Sequence, residues 1–251
     1  MKTYINFIIL SIILFTSCKN EIDCCVFPES TNVTLKFTHN WAGTALASED
    51  FNEFKFTTEN VESISIERLR YLVSNITLGE DSKDYQLINI GENTGFEIEF
   101  NEIKTGIKSL KFTFGFTDED NIDGIYQDLN SVSFNVPGML GGGYHFMQFD
   151  GKYKDDNNTD AGFNYHAIRA VDNSDANNLI FEDTSFEVDL GNIEITNTAT
   201  IEIKMDISEW FKNPNTWNLN ELNTVLMPNF DAQKLMNANG KTVFSLGSIN
   251  Q

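Results

Sequence analysis

Three histidines are the residues of this chain best suited to chemistry: His39, His145 and His166. Each lies in an aromatic, strand-like segment: Phe37-Thr38-His39-Asn40-Trp41, Gly143-Tyr144-His145-Phe146-Met147 and Phe163-Asn164-Tyr165-His166. Neutral imidazole is the commonest side-chain ligand for copper and zinc. Three imidazoles with one open or weakly held position would suit either ion. Strand alternation puts His145, Met147 and Phe149 on one face. A thioether beside an imidazole tilts the preference toward copper, because soft sulfur favours Cu(I). Tyr144, Asp150 and Tyr165 are placed to fix imidazole tautomers, and Trp41 reads as a core or outer-sphere residue. From spacing alone the plainer reading leads, in which the three are partly buried strand histidines with hydrogen bonds. No HExxH or paired CxxC motif forces a metal.

Two acidic loops offer oxygen donors. Asp118, Asp120 and Asp123, followed by Gly124, could hold Ca²⁺, but the spacing is not that of an EF-hand and the bidentate glutamate is missing. Asp155, Asp156, Asn157, Asn158 and Asp160 form the second loop. Solvated turns are the default for both. There is no GxSxG, no phosphate-cradling loop and no paired-cysteine redox motif, so a non-enzymatic role is expected. The formal charge is −20, from 17 basic and 37 acidic residues. A field of that sign repels phosphate backbones and makes nucleic acid a poor partner.

The elements that must position these side chains read as strands. The chain has 21 phenylalanines, which recur with Val, Ile, Thr and Tyr in short runs. Asn, Asp and Gly clusters separate the runs, which is the pattern of an all-β, antiparallel sandwich. Val33, Leu35, Phe37, His39 and Trp41 alternate with polar residues, so His39 and Trp41 share the apolar face of the first strand. Residues 63–78 read as one long or bent strand. Further candidates span 85–90, 95–100, 109–116, 181–190 and 199–207. Residues 144–153 and 163–171 look like a long hairpin around a polar loop. Gly141, Gly142 and Gly143 permit positive φ and a tight entry into that hairpin. Short helical segments close the chain, one at 208–211 and one at 229–239 with Asn229 as N-cap, before an apolar plug at 243–246.

The N-terminus reads as an export signal. Lys2 precedes an apolar run, Phe7 to Phe15, that is too short to span a bilayer. Phe15-Thr16-Ser17-Cys18 resembles the lipobox of bacterial lipoproteins, with Phe15 in place of leucine. Residues 1–17 are therefore expected to be a signal peptide, Cys18 the lipidated residue and membrane anchor, and 18–31 an acidic tether. Residues 32–251 form the single domain. Cys24 and Cys25 remain as an adjacent pair, where a bridge would be strained and a soft-metal site is a minor alternative.

At these segments the chain resembles the MbnP-like family of periplasmic or lipidated copper-binding proteins. The resemblance begins with Leu35-Lys36-Phe37-Thr38-His39 and continues through Ile64–Ile76 and Phe112-Thr113-Phe114-Gly115-Phe116. It then takes in Gly143–Gly151 and Phe163–His166, and closes with an Asn-Gly helix end before Val243-Phe244-Ser245. It implies a β-sandwich that binds a single copper ion through histidines, for capture or handling at the outer membrane or elsewhere in the cell envelope. His39 and His166 match the family's histidine positions best, and His145 lies within one of its motifs; Met147 is a further, weak ligand expected from the strand spacing and not from the resemblance. In some members a dihaem peroxidase-like partner oxidises a tryptophan to kynurenine. Here Gly138–Gly143 replaces the tryptophan-rich approach, which speaks against that chemistry. The rival expectation is a glycan- or protein-binding lipoprotein of a nutrient-uptake system, using exposed Trp210, Trp217 or Tyr153 as platforms.

Overall fold

The computed structural model describes residues 29–251. The expected signal peptide and lipidation site, Cys18, and the pair Cys24 and Cys25 lie outside the described residues. Fourteen strands and two α-helices follow in order among these. The strands are β1 (Ser30–Trp41), β2 (Thr44–Ala45), β3 (Phe56–Thr57), β4 (Ser63–Leu78), β5 (Asp81–Asn89), β6 (Glu97–Lys104) and β7 (Gly106–Phe114). After α1 (Gln127–Ser131) come β8 (Met147–Lys154), β9 (Asp160–Ala167), β10 (Ala170–Asp172), β11 (Ile180–Glu182), β12 (Phe186–Ile195) and β13 (Ala199–Asp206). A 3₁₀ turn at Ile207–Phe211, α2 (Phe230–Gly240) and β14 (Phe244–Asn250) complete the fold.

Two sheets face each other. The first has the order β14-β13-β1-β2, with β6 also on β1, and the second has β12-β7-β4-β8-β9, with β3 and β5 on β4. The pairings are antiparallel except for β1 with β13, which run parallel in register from Val33↔Ala199 to Asn40↔Asp206. The long strand β4 organises the second sheet. Its first half pairs with β8 and its second half with β7, and Asn75 takes φ +49° where the β7 register shifts. That conformation favours Asn over most other side chains.

The alternation expected for β1 is observed. Val33, Leu35, Phe37, His39 and Trp41 are all buried, while their neighbours are not. Between the sheets lies an aromatic core. Phe37 meets Tyr71 and Phe112, Trp41 stacks on Phe56, and Phe114 packs on Phe186 and Trp210. Such pairs contribute roughly 0.5–1.5 kcal/mol each beyond their burial. A second, smaller cluster of Val136, Leu140, Ile168 and Val171, joined by Leu179 and Met227, is separate from this core.

Several boundaries differ from the sequence expectation: 163–171 divides into β9 and β10, and 181–190 into β11 and the start of β12. The 144–153 strand begins only at Met147, because Gly141, Gly142 and Gly143 hold φ of +90°, +68° and +81° and the chain is still irregular at Phe146. The C-terminal plug is an edge strand, β14, which runs to Asn250 and pairs with β13. Helix α2 begins as expected, with the Asn229 side chain accepting from Ala232 N–H.

Candidate metal centre

Strand register fixes which histidines can meet. Tyr71, Met147 and Ala167 form one cross-strand row of the second sheet, and Arg70, Gln148 and His166 form the next. Consecutive rows point to opposite faces. Tyr71 and Met147 face the aromatic core between the sheets. His166 faces the other side, together with Asp150 and Asn164 from the row two residues away.

His145 reaches that same outer side from the irregular segment ahead of β8. Its ring packs edge-to-face on His166, with centroids 5.2 Å apart and planes at 82°. The Phe134 carbonyl accepts both the His145 backbone N–H (2.9 Å) and its ring Nδ1 (2.9 Å). A carbonyl only accepts, so Nδ1 carries the proton and Nε2 presents a lone pair. The Gln148 amide nitrogen also lies 3.3 Å from Nδ1. Arg70 Nε donates to Gln148 Oε1, which fixes the amide with its NH₂ toward the histidine, so this is a contact between donors and not a bond.

His166 has the complementary arrangement. Its Nε2 donates to Asp150 Oδ1 at 2.8 Å, and its other ring nitrogen, Nδ1, has no protein partner. Asp150 also accepts from Arg68 Nε and Asn164 Nδ2, both at 2.5 Å. Burial pushes its carboxyl upward, but His166, Arg68 and Asn164 outweigh that and hold it well below the usual carboxylate range. Burial, then the proximity of His166, lowers His145 to a pKa of about 3, so its imidazole is neutral at physiological pH.

Among the described residues, three buried side-chain nitrogens lack a hydrogen-bond partner: His145 Nε2, His166 Nδ1 and Trp210 Nε1. Two of the three belong to this pair of touching rings. An unpaired buried polar atom costs about 1–3 kcal/mol, a cost that an ion bound by the pair would offset. The donor set therefore fits an ion that takes neutral imidazoles. The carboxylate behind His166 is the partner metal-bound histidines commonly use.

The other expected site residues are placed elsewhere. His39 lies on the inner face, where its Nε2 is 2.9 Å from the Tyr71 hydroxyl. Burial lowers it to about 3. It does not join the other two, so no three-imidazole pocket forms. Among the described residues no group of three or more His, Cys, Asp and Glu is placed to hold a metal. Met147 sits in the core and does not share a face with His145, because strand alternation starts only after Phe146. Trp41 is also core, donating Nε1–H to the Thr57 carbonyl. Tyr165 donates its hydroxyl to the Trp210 carbonyl on the inner side. The Tyr144 hydroxyl meets Tyr126 N–H and Asn130. Of the four supporting residues expected, Asp150 alone touches a ring of the pair.

The calcium expectation is also corrected. Asp118 faces Arg169 at 3.5 Å, Asp120 accepts from Asn75 and Thr117, and Asp123 accepts the Gly143 N–H. These carboxylates do not converge on one point. With Asn121, which accepts the Tyr144 N–H, this loop instead anchors the glycine run leading into His145. The aromatic platforms of the rival reading are absent as well: Trp210, Trp217 and Tyr153 are 0%, 1% and 3% exposed.

Sequence reasoning missed Phe134 and Gln148, and the only trace of either was the position of Gln148 one residue beyond Met147. Comparison with known proteins gives a consistent assignment. The family model described as MbnP matches residues 30–228. A search of curated proteins finds no match. Among solved structures, MbnP from Methylosinus trichosporium is similar, with a TM-score of 0.50 and 12% identity over 87% of this chain and 99% of that one. At that identity the likeness is one of fold. Because the family match spans most of the described residues, the chain belongs to the MbnP family, the copper-handling, non-catalytic family that its motifs resemble.

Proposed function

We propose that this protein is an exported lipoprotein, anchored through Cys18, that binds one copper ion between His145 and His166 for capture or handling at the cell envelope. The observation that carries the reading is the pair of buried ring nitrogens, without hydrogen-bond partners, on two touching imidazoles. Copper supplies the electron-pair acceptor there. Phe134 and Asp150 each hold one ring nitrogen of the pair, so neither ring has to rotate to donate from the other. Zinc favours four ligands, whereas Cu(I) accepts low coordination and soft, neutral donors. Trp41, Trp210 and Trp217 are all core residues. Oxidation of a tryptophan by a dihaem peroxidase-like partner is therefore no part of this proposal.

Metal analysis of the chain produced without residues 1–17 tests the reading. About one copper per chain is expected in the wild type and in His39→Ala, and little in His145→Ala and His166→Ala. Equal copper in all four would overturn it.

A further inference from the structure

We propose that the Met227 thioether is the third donor to the ion held by His145 and His166. The inference rests on the copper reading above and names a ligand that reading does not contain. Two imidazoles are enough to hold Cu(I), but leave room for a further soft donor, and the glycine run ahead of His145 cannot supply one. Gly141, Gly142 and Gly143 carry no side chain, and a Cβ on Gly143 would stand 2.6 Å from Asn121 Oδ1.

The segment 223–227 can supply it. It runs beside β9, the edge strand that carries His166. The Asn164 N–H donates to the Asn223 carbonyl at 2.8 Å. Gln233 Nε2 then bridges the carbonyls of His166 (2.9 Å) and Leu226 (3.0 Å). Gln233 is 1% exposed, so this clamp is a built part of the interior. Met227 is the next residue after the clamped Leu226.

Two independent contacts bracket its side chain. Met227 lines a cleft of about 250 Å³ together with His166, Asp150, Asn164 and Arg68. It also packs against the small cluster of Val136, Leu140, Ile168 and Val171. Val136 is tied to the entry of the histidine segment, since its N–H donates to the Gly143 carbonyl. Met227 thus borders the cleft on the His166 side and packs on the cluster whose Val136 is bonded to the chain just ahead of His145. Met227 would occupy the role that alternation assigned to Met147, and soft sulfur selects Cu(I) over harder ions.

X-ray absorption at the copper edge, on the chain loaded with one equivalent of Cu(I) without oxygen, tests this directly. Expected is a sulfur scatterer beside nitrogen in the wild type and in Met147→Leu, lost in Met227→Leu. Competition with a Cu(I) chelator should show Met227→Leu binding about tenfold or more weakly, with unchanged melting. A nitrogen-only shell in the wild type, with equal affinity in Met227→Leu, would overturn the third donor and leave the two-imidazole reading standing. Copper retained after loss of both His145 and His166 would overturn both. The wild-type spectrum decides without any variant having to fold.

Discussion

His145 and His166 come from the two arms of one hairpin at its open end and meet edge-to-face, each with one ring nitrogen bonded to protein and the other without a partner. The bonded nitrogens differ, Nδ1 on His145 and Nε2 on His166, so the unpartnered ones differ as well.

Asp150→Asn tests the tautomer on His166. An amide can present its nitrogen to Nε2, and the preference for an Nε2 proton then weakens. Copper affinity is expected to fall roughly 10–100-fold, read by chelator competition, with the circular dichroism spectrum retained. Undiminished affinity would remove Asp150 from its orienting role.

Gly115→Ala tests how the histidine segment is seated. Gly115 has φ +79°, and a Cβ there would lie 2.4 Å from the Phe146 ring. Phe146 is the residue after His145 and is 1% exposed. Backbone strain and overpacking together should cost about 1–3 kcal/mol, seen as a lower melting temperature, and copper affinity should drop with it. A variant that melts like the wild type would show that this contact does not set the segment.

Tyr71→Phe separates the inner histidine from the outer pair. It removes the one partner of His39 Nε2 and should destabilise the fold by about 1–3 kcal/mol in chemical denaturation. Copper content should stay the same. Loss of copper in this variant would show that the two faces of the sheet are coupled.

Acid should destabilise the protein before its carboxylates titrate. Burial lowers His39 and His145 to about 3 in the folded state, whereas an unfolded histidine titrates near 6.5. Between those values the unfolded chain binds more protons than the native one. The stability these residues contribute is complete above about pH 6.5 and is lost as pH falls toward 3, by on the order of 1 kcal/mol per pH unit for each. Urea denaturation of the metal-free chain from pH 7 to pH 4 measures the slope. A flat profile would contradict it.

Regular alternation made much of the sheet legible. It gave the buried face of β1 and the length of β4, because a period of two survives wherever strands stay paired. It placed His166 correctly on a strand and His39 on an apolar face. It failed at His145, where three left-handed glycines and a bend interrupt the period two residues before β8 begins. It also could not show that Phe134 supplies the carbonyl that sets the His145 tautomer, since that contact depends on a loop eleven residues upstream. Trp210 and Trp217 were misread for the opposite reason. Trp210 lies in a five-residue 3₁₀ turn and Trp217 in an irregular segment, both too short of periodicity to reveal burial, yet both are buried.

The parallel pairing of β1 with β13 carries a consequence for biogenesis. Phe37 sits opposite Ile203, so one flank of the opening strand stays unclosed until nearly the whole polypeptide is available. Contacts so distant along the chain form slowly. A precursor threading through a translocation channel from its leading end would therefore stay loose during passage and complete its fold only on the far side.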